Sequence, residues 1–314
     1  MTASPKVQAV ETKRQIPASS AFRALSILGD AWTLRILQDA FRGVRNFSEW
    51  QRTFGISKGV LANRLARLVE AGVFVKNANR PGMWIEYRLT EKGLDLWSVL
   101  LSIWAWQRKW EPDPKEQRSR LVHLNCGKSI RPICSCSHCR RELTAFSTRP
   151  EPGRGAGSDD RLPARYLRQS IVVRHSKDES GINTDAAKVF GDRWTSQLVG
   201  GAFLGLRRFS DFEKKLGISP YILADRLEEL LQLGVFECRA AQPGMLRRTY
   251  HLTQKGLDTY PVILQFLRWG DRWLAGDAGP PLYVIHIPCG HAVEPILTCS
   301  HCGQDLERKT VRLY

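Results

Sequence analysis

The chain has 314 residues, of which 43% are hydrophobic, so it is long enough for about two globular domains and is not disordered by composition. Lysine and arginine number 47 against 31 acidic residues, and the formal net charge of +16 favours polyanionic partners, nucleic acid first and an acidic membrane surface second. Neither a run of about 18 apolar residues nor an N-terminal secretory pattern is present, so we expect a cytoplasmic protein that does not span a membrane.

Most of the stretch from Gly29 to Leu143 occurs twice. Four short motifs return 162 residues later, namely Gly29-Asp30, Phe47-Ser48, Gly55-Ile56-Ser57 and Pro81-Gly82-Met83. From Leu89 onward the offset is 163, so the copies differ by one residue in a turn. A period of this length indicates a duplicated domain, because solenoid repeats run roughly 20–50 residues. We refer to residues 20–143 as copy one and to residues 182–308 as copy two.

Copy one follows a polar segment, 1–19, that we expect to be disordered. Asp30 is the predicted N-cap of a helix over Ala31–Arg42, whose apolar residues recur at helical spacing. Ser48 and Gln51 have the spacing of a capping box, which predicts that Ser48 caps the next helix.

The turn Gly55-Ile56-Ser57 joins that short helix to another, predicted over Lys58–Ala71 with Ser57 as its cap. Two short helices joined in this way form a helix-turn-helix, whose second helix is the one that reads DNA. Two predicted strands follow, Val73–Lys76 and Trp84–Leu89, joined across a Pro-Gly turn. A hairpin directly after a helix-turn-helix is a wing.

Thr90 is the predicted cap of one long helix that runs to about Trp110. Its apolar residues fall on two faces, and copy two keeps the pattern over 254–273. A helix that is apolar on two faces is buried on two faces, so we expect the long helices 91–110 and 254–273 to form an interface. That interface joins either the two copies or two chains in a homodimer. A thick single core is the alternative.

These residues resemble the HxlR-type winged helix-turn-helix regulators of bacteria. The motifs that carry the resemblance are Gly-Asp-x-Trp-Thr, Phe-Ser, Leu-Ala-x-Arg-Leu and Leu-Thr-x-Lys-Gly, starting at Gly29, Phe47, Leu61 and Leu89 and again at Gly191, Phe209, Leu223 and Leu252. The resemblance implies binding of double-stranded DNA, transcriptional control, and homodimers built through terminal helices. Some members carry a redox-active cysteine about ten residues before that glycine. Ser19 and Gly181 stand there in this chain, which argues against thiol sensing at that position.

Each copy ends in the pattern His-x2-Cys-x9-Cys-x2-Cys. Three thiolates and one imidazole suit tetrahedral zinc, and such a short segment cannot fold on its own apolar surface. We therefore predict two structural zinc ions per chain, each held within one copy, by His123, Cys126, Cys136 and Cys139 and by His286, Cys289, Cys299 and Cys302. The fourth ligand stays open because His138 and His301 also recur, and reduced buried thiols are the alternative. Cys134 and Cys238 are expected to be small buried hydrophobes.

The predicted fold class is mainly α with small β wings (α+β). It comprises two winged helix-turn-helix domains, each followed by a small zinc-ribbon-like module. The predicted boundaries are a tail at 1–19, a winged domain at 20–112, a module at 120–143, a linker at 144–181, a second winged domain at 182–275 and a second module at 282–308. The linker is inferred from the Gly- and Pro-rich composition of Arg149–Ser158.

The predicted function is that of a sequence-specific transcriptional regulator, located on the bacterial nucleoid, whose two winged domains bind operator DNA as an intrachain pseudo-dimer. Copy two carries carboxylates where copy one carries Asn63 and Arg67, so copy one is expected to supply most base discrimination. The candidate DNA-binding residues are Arg45, Ser57, Lys58, Asn63, Arg64, Arg67, Arg80, Arg207, Arg208, Ser219, Tyr221, Arg226, Arg247 and Arg248. No catalytic residue is predicted. A protein-binding adaptor with structural zinc and a zinc- or redox-responsive regulator are the alternatives.

Overall fold

The computed structural model describes residues 18–77, 85–111, 120–157, 184–240 and 248–314. The helices of copy one are α1 (Ser20–Leu28), α2 (Ala31–Phe41), α3 (Phe47–Phe54), α4 (Lys58–Glu70), α5 (Glu91–Leu94) and α6 (Trp97–Trp110). Those of copy two are α7 (Asp185–Phe190), α8 (Arg193–Phe203), α9 (Phe209–Leu216), α10 (Pro220–Gln232), α11 (Gln254–Leu257) and α12 (Tyr260–Leu274). None of these described helices has the length and apolarity needed to cross a membrane.

The strands are short and lie in wings and in the cysteine-containing segments. The wings are β1 (Phe74–Asn77) with β2 (Glu86–Leu89), and β7 (Phe236–Ala240) with β8 (Arg248–Leu252). The remaining strands are β3 (Leu121–His123), β4 (Lys128–Ser129), β5 (Pro132–Cys136), β6 (Thr148–Pro152), β9 (Leu282–His286), β10 (Pro295–Cys299) and β11 (Val311–Leu313). The predicted α+β class with two winged domains is confirmed. The turn predicted at Pro81-Gly82 lies outside the described residues.

Side-chain caps begin the helices where the sequence predicts them, with one exception. Asp30 starts α2 and Ser57 starts α4, each accepting the backbone N–H three residues further on. Helix α3 begins one residue before Ser48, so the predicted cap at Ser48 is wrong. The cap is Asn46, which accepts the N–H of Glu49 at 2.9 Å while its amide donates to the Glu49 carboxylate at 3.1 Å. Asn46 and Glu49 are therefore joined by two hydrogen bonds at the start of α3, two residues before the pair that the sequence suggested.

The long helix predicted after Thr90 is interrupted. Thr90 does cap a helix, but backbone ψ is −12° at Asp95 and −8° at Leu96, where an α-helix has about −42°. The same interruption separates α11 from α12 in copy two. The break directs Asp95 toward copy two, where its carboxylate accepts the indole N–H of Trp273 at 2.9 Å. The break in the helix thus coincides with contacts between the copies. The periodicity of apolar residues along one helix cannot predict such contacts.

The terminal helices join the two copies within the chain, and the contacts occur in pairs. Trp106 Nε1 donates to the carbonyl oxygen of Lys255 at 3.0 Å, and Trp269 Nε1 donates to that of Lys92 at 2.9 Å. Trp269 is the counterpart of Trp106 in the repeat and Lys255 is that of Lys92, each 163 residues further along the sequence. Making every contact twice is the property of an interface with two-fold symmetry. The predicted helix-to-helix interface is therefore present, and it lies between the copies.

The first helix of each copy packs on the terminal helix of the other, but in different ways. Helix α1 crosses α12 so closely that a Cβ added to Gly270 would lie 2.1 Å from the carbonyl oxygen of Ser20. The shorter helix α7 packs against α6, where the Glu111 carboxylate accepts the N–H groups of Asp185 and Ala186 at 2.8 and 2.7 Å. The pseudo-symmetry is therefore incomplete at this point.

The two cysteine-containing segments form one intertwined unit. Strand β5 pairs antiparallel with β10 of the other copy, with Cys134 opposite Leu297, its counterpart in the repeat. Strand β6, which follows copy one, pairs with β9 of copy two, and β11, which follows copy two, pairs with β3 of copy one. The segments 120–143 and 282–308, expected as separate modules, pair with each other through β5 and β10, and the expected linker 144–181 contains the strand β6. Each segment has little apolar surface of its own, so exchanging strands buries what it has.

Candidate DNA-reading surface and metal centres

The helix-turn-helix of copy one positions the start of α4 at the surface. Gly55, with φ of +62°, allows the tight turn after α3, and this left-handed conformation is cheap for glycine. Ser57 caps α4, and the exposed residues at its start include Lys58 and Asn63. On the opposite face three leucines are at most 1% exposed: Leu61, Leu65 and Leu68. The fold thus leaves Lys58 and Asn63 at the surface, where Asn63 Oδ1 also accepts a hydrogen bond from Arg64 Nη1 at 3.2 Å.

Arg64 and Arg226 do not face solvent, so their prediction as DNA-binding residues is wrong. Arg64 is 2% exposed, and its Nε and Nη2 donate to the two carboxylate oxygens of Asp30 at 2.7 and 2.8 Å. Arg226 is 3% exposed, and its Nε and Nη2 both donate to Oδ2 of Asp192, at 3.1 and 2.9 Å. Helical spacing could have identified this role, because Arg64 lies three residues after the buried Leu61. These arginines anchor the recognition helices to the start of α2 and α8.

The side chain of Arg67 also forms a hydrogen bond within the protein. It is half-buried, and its Nη2 donates to the carbonyl oxygen of Ser26 at 3.0 Å. The corresponding Glu229 of copy two is half-buried as well, and burial raises its pKa against the opposing effect of Arg226. The expectation that Arg67 stands free on the DNA-facing surface is therefore not met. The difference in charge between Arg67 and Glu229 therefore lies beside α1 and α7 and not on the DNA-facing surface.

Copy two presents a different surface at the start of α10. Ser219 caps the helix and Tyr221 is 80% exposed. Asp225, the counterpart of Asn63, has its carboxylate bound by Arg226 Nη1. The two recognition helices therefore offer a lysine and an amide in one copy and a tyrosine in the other.

The other arginines predicted to bind DNA fall into three groups. Arg45, Arg208 and Arg248 are exposed. Arg207 is half-buried and donates to the carbonyl oxygen of Leu206 at 2.8 Å, and burial lowers its pKa. Arg80 and Arg247 lie outside the described residues. Exposed arginines beside the helix-turn-helix and on the wing of copy two suit contacts to phosphate.

The Gly-Asp motif meets its repeat between the two copies. Asp30 and Asp192 pair through their backbones as an antiparallel bridge. A Cβ added to Gly29 would lie 3.0 Å from the Cα of Arg193, and one added to Gly191 would clash similarly with copy one. Only glycine allows such an approach. Because Asp30 also binds Arg64, this contact connects directly to the recognition helix. We did not predict this role, although the recurrence of both glycines was a signal.

Two groups of potential metal ligands form, and each takes two residues from each copy. One group contains His123, Cys126, Cys299 and Cys302, and the other contains Cys136, Cys139, His286 and Cys289. All eight predicted ligands are present, but the predicted grouping within each copy is wrong. The exchange of strands causes the difference, because it brings the first knuckle of one copy to the second knuckle of the other. Sequence spacing could not distinguish the two groupings.

The geometry of both groups fits a tetrahedral metal ion. Tetrahedral zinc places two sulfur ligands about 3.8 Å apart and a sulfur about 3.6 Å from a nitrogen. The observed Sγ–Sγ distances are 3.9 Å for Cys126–Cys299 and for Cys136–Cys289. The Nδ1–Sγ distances are 3.4 Å in the first group and 3.2 and 3.3 Å in the second. Both groups can therefore hold a metal ion through three sulfurs and one Nδ1.

The other histidines and cysteines that we singled out lie outside these groups. His138 stacks on His291 of the other copy at a centroid distance of 3.5 Å. Cys134 is buried at the contact between copies, as predicted, and burial raises its pKa to about 12, so its thiol stays protonated. Cys238 is exposed, so the prediction that it is buried is wrong; it lies on the wing strand β7, which has one open face.

Comparison with known proteins agrees with the duplicated helix-turn-helix. The family model described as HxlR-like helix-turn-helix matches residues 27–115 and 189–278. A relative named as an uncharacterized HTH-type transcriptional regulator of Mycobacterium tuberculosis is 39% identical over 147 residues, which are 46% of this chain and 92% of the relative. The HTH-type regulator YvaP of Bacillus subtilis is 30% identical over 90 residues, 28% of this chain and 83% of its own length. The crystal structure of PA1607, described as a transcription factor, aligns with a TM-score of 0.38 and 29% identity over 41% of this chain and 92% of its own.

Proposed function

Because the chain belongs to the HxlR-like helix-turn-helix family, we propose that its two winged domains bind one DNA site together, as the halves of an intrachain dimer. The protein is a DNA-binding transcriptional regulator. The observation that carries the proposal is the paired interface, in which Trp106 and Trp269 make equivalent contacts across the two copies. Two-fold related recognition helices read half-sites about one helical turn of DNA apart.

The proposed site is not a palindrome. In copy one Asn63 is exposed, and an asparagine can make two hydrogen bonds to adenine in the major groove. The neighbouring arginine binds this side chain in both copies, Arg64 to Asn63 Oδ1 at 3.2 Å and Arg226 to the carboxylate of Asp225. The carboxylate has no N–H to donate to adenine, and the exposed Tyr221 has no bidentate pattern. Copy one is therefore proposed to supply most base discrimination. Arg208 and Arg248 of copy two are proposed to hold the DNA backbone.

Selection of preferred sites from random DNA by the full chain tests this proposal. We expect an imperfect site with sequence information concentrated in one half. The matched variant carries Pro220→Lys and Asp225→Asn, which gives copy two the residues of copy one at these positions. It should select more symmetric sites. Strict palindromes with equal information in both halves, selected by the unaltered chain, would overturn the pseudo-dimer and favour pairing of two chains.

The same proposal includes two zinc ions per chain, one in each group of ligands. Three thiolates and an imidazole at tetrahedral spacing are the donors that structural zinc prefers, and they close the site to substrates. Elemental analysis of the chain purified under reducing conditions should find two zinc ions per molecule. A folded protein without zinc would contradict this part and leave the DNA-binding part standing.

A transcriptional regulator that binds operator DNA acts at the chromosome. The proposal therefore includes a cytoplasmic location on the nucleoid. A fluorescent fusion that does not coincide with a nucleoid stain would contradict it.

A further inference from the structure

Two cavities occupy equivalent places in the two copies but differ greatly in volume. The small cavity, about 70 Å³, lies between α8, α12 and the strands β6 and β9. The large cavity, about 580 Å³, lies between α2, α6, α7 and the strand β11. Their linings correspond through the repeat, for example Phe203, Tyr260, Ile263 and Leu264 in the small cavity and Phe41, Trp97, Leu100 and Leu101 in the large one.

A difference in the first helix of each copy accompanies the difference in volume. In the small cavity Phe22 of α1 lies against the wall and is 5% exposed. The corresponding residue in the large cavity is Thr184, which has a much smaller side chain. The terminal helix still contributes a continuous apolar wall to the large cavity, where Leu100 and Ile103 are 9% and 3% exposed. A space of this volume is within the range of small-molecule sites, roughly 300–1,000 Å³.

The large cavity is also basic, and the small one is not. Arg35, Arg42 and Arg308 line the large cavity, and no acidic residue is among its described lining residues. Their counterparts through the repeat are Gln197, Leu204 and Ala145, which carry no charge. The neighbouring Asp39 lies 3.1 Å from Arg42 and 3.8 Å from Arg35, so it offsets part of this charge. Arg308 is exposed at the rim.

We propose that the large cavity binds an apolar small molecule that carries one acidic group, such as an aromatic carboxylate or sulfonate. The apolar wall buries the body of the ligand, and Arg42 and Arg308 at the edge bind the acidic group through charge-assisted hydrogen bonds. The cavity is lined by α2 and α6 of copy one, by α7 of copy two and by β11, so its ligand contacts both copies. This site is independent of the proposed mode of DNA binding.

A pair of fluorescent probes tests the site on the full chain. 1-Anilinonaphthalene-8-sulfonate has the required rings and acidic group, and N-phenyl-1-naphthylamine has the same rings without the sulfonate. We compare the unaltered protein with a variant carrying Arg42→Leu and Arg308→Ala, the residues that the other copy has at these positions. Arg35 is retained so that Asp39 keeps an ion-pair partner. The matched control carries Lys309→Ala and Arg312→Ala, which remove the same charge from exposed positions that do not line the cavity.

The unaltered protein should bind one molecule of the sulfonate per chain, saturably. The cavity variant should weaken binding of the sulfonate by about tenfold and leave binding of the neutral probe nearly unchanged, because only the charge-assisted bonds are lost. The control variant should bind both probes as the unaltered protein does. The proposal is overturned if the cavity variant binds the sulfonate normally, if binding to the unaltered protein is not saturable, or if the variant loses both probes equally. In the last case the arginines shape the cavity and do not bind an acidic group.

Discussion

Removing cysteines in pairs distinguishes shared metal sites from sites within each copy. The double change Cys126→Ser with Cys302→Ser removes two ligands from one observed group and none from the other. The double change Cys126→Ser with Cys139→Ser removes one ligand from each group. Both variants lose two thiols from half-exposed or exposed positions, so they are matched in chemistry and closely matched in burial. Only the arrangement of the ligands around the metal differs between them.

The structure sets the expected size of the effect. A structural zinc would contribute on the order of 10 kcal/mol at neutral pH, and each group that could hold one takes two residues from each copy. The first variant should therefore keep one tightly bound zinc, held by Cys136, Cys139, His286 and Cys289. The second variant leaves both sites with three ligands, so neither should hold zinc tightly. The strand pairing between the copies should weaken most in the second variant, because both metal links are damaged.

Zinc retained after dialysis against a competing chelator, measured by elemental analysis, is the assay. Cys238→Ser, at an exposed position outside both groups, is the control and should keep two zinc ions. If the Cys126/Cys139 variant keeps one tight zinc and the Cys126/Cys302 variant keeps none, the ligands are grouped within each copy. That result would refute the exchanged arrangement.

Four further outcomes follow from the described contacts. Asn63→Ala should weaken the free energy of binding to the selected DNA site by about 1–3 kcal/mol and change binding to scrambled DNA little. Arg67→Ala should leave the difference between the two DNAs unchanged, because this side chain binds Ser26. Competitive binding assays measure both effects. Arg64→Met should destabilise the fold by about 3–5 kcal/mol in thermal unfolding, because it leaves the partly buried Asp30 without its partner. The affinity for DNA should fall steeply as the salt concentration rises, and an unchanged affinity would show that the basic surface does not bind DNA. Burial raises the pKa of Asp271 from 3.8 to about 6, so the folded state holds this proton more tightly than the unfolded state. Stability should therefore decline by about 1–2 kcal/mol as pH rises from about 4 to about 6, and Asp271→Asn should remove this decline in pH-dependent unfolding.

Local sequence patterns were sufficient to predict the repeat, most helix caps and the fold of each winged domain. The duplication is visible in the sequence itself, and the caps at Asp30 and Ser57 follow from side chains that accept nearby backbone N–H groups. The helix-turn-helix, the wing and the eight candidate metal ligands could likewise be predicted, because each depends on spacing along a few residues. Where a local signal was ambiguous, as between Asn46 and Ser48, the prediction missed by two residues.

Tertiary structure decided everything that depends on one copy meeting the other. The sequence contains the same cysteines whether the ligands are grouped within a copy or across copies, and only the pairing of β5 with β10 selects between them. Arg64 looks like a surface cation until Asp30 is found beside it, 34 residues away in the chain. The helix break at Asp95 and the close approach of Gly29 to copy two also depend on contacts between the two copies. Distances between residues far apart in sequence are set by packing, and no periodicity within one segment reports them.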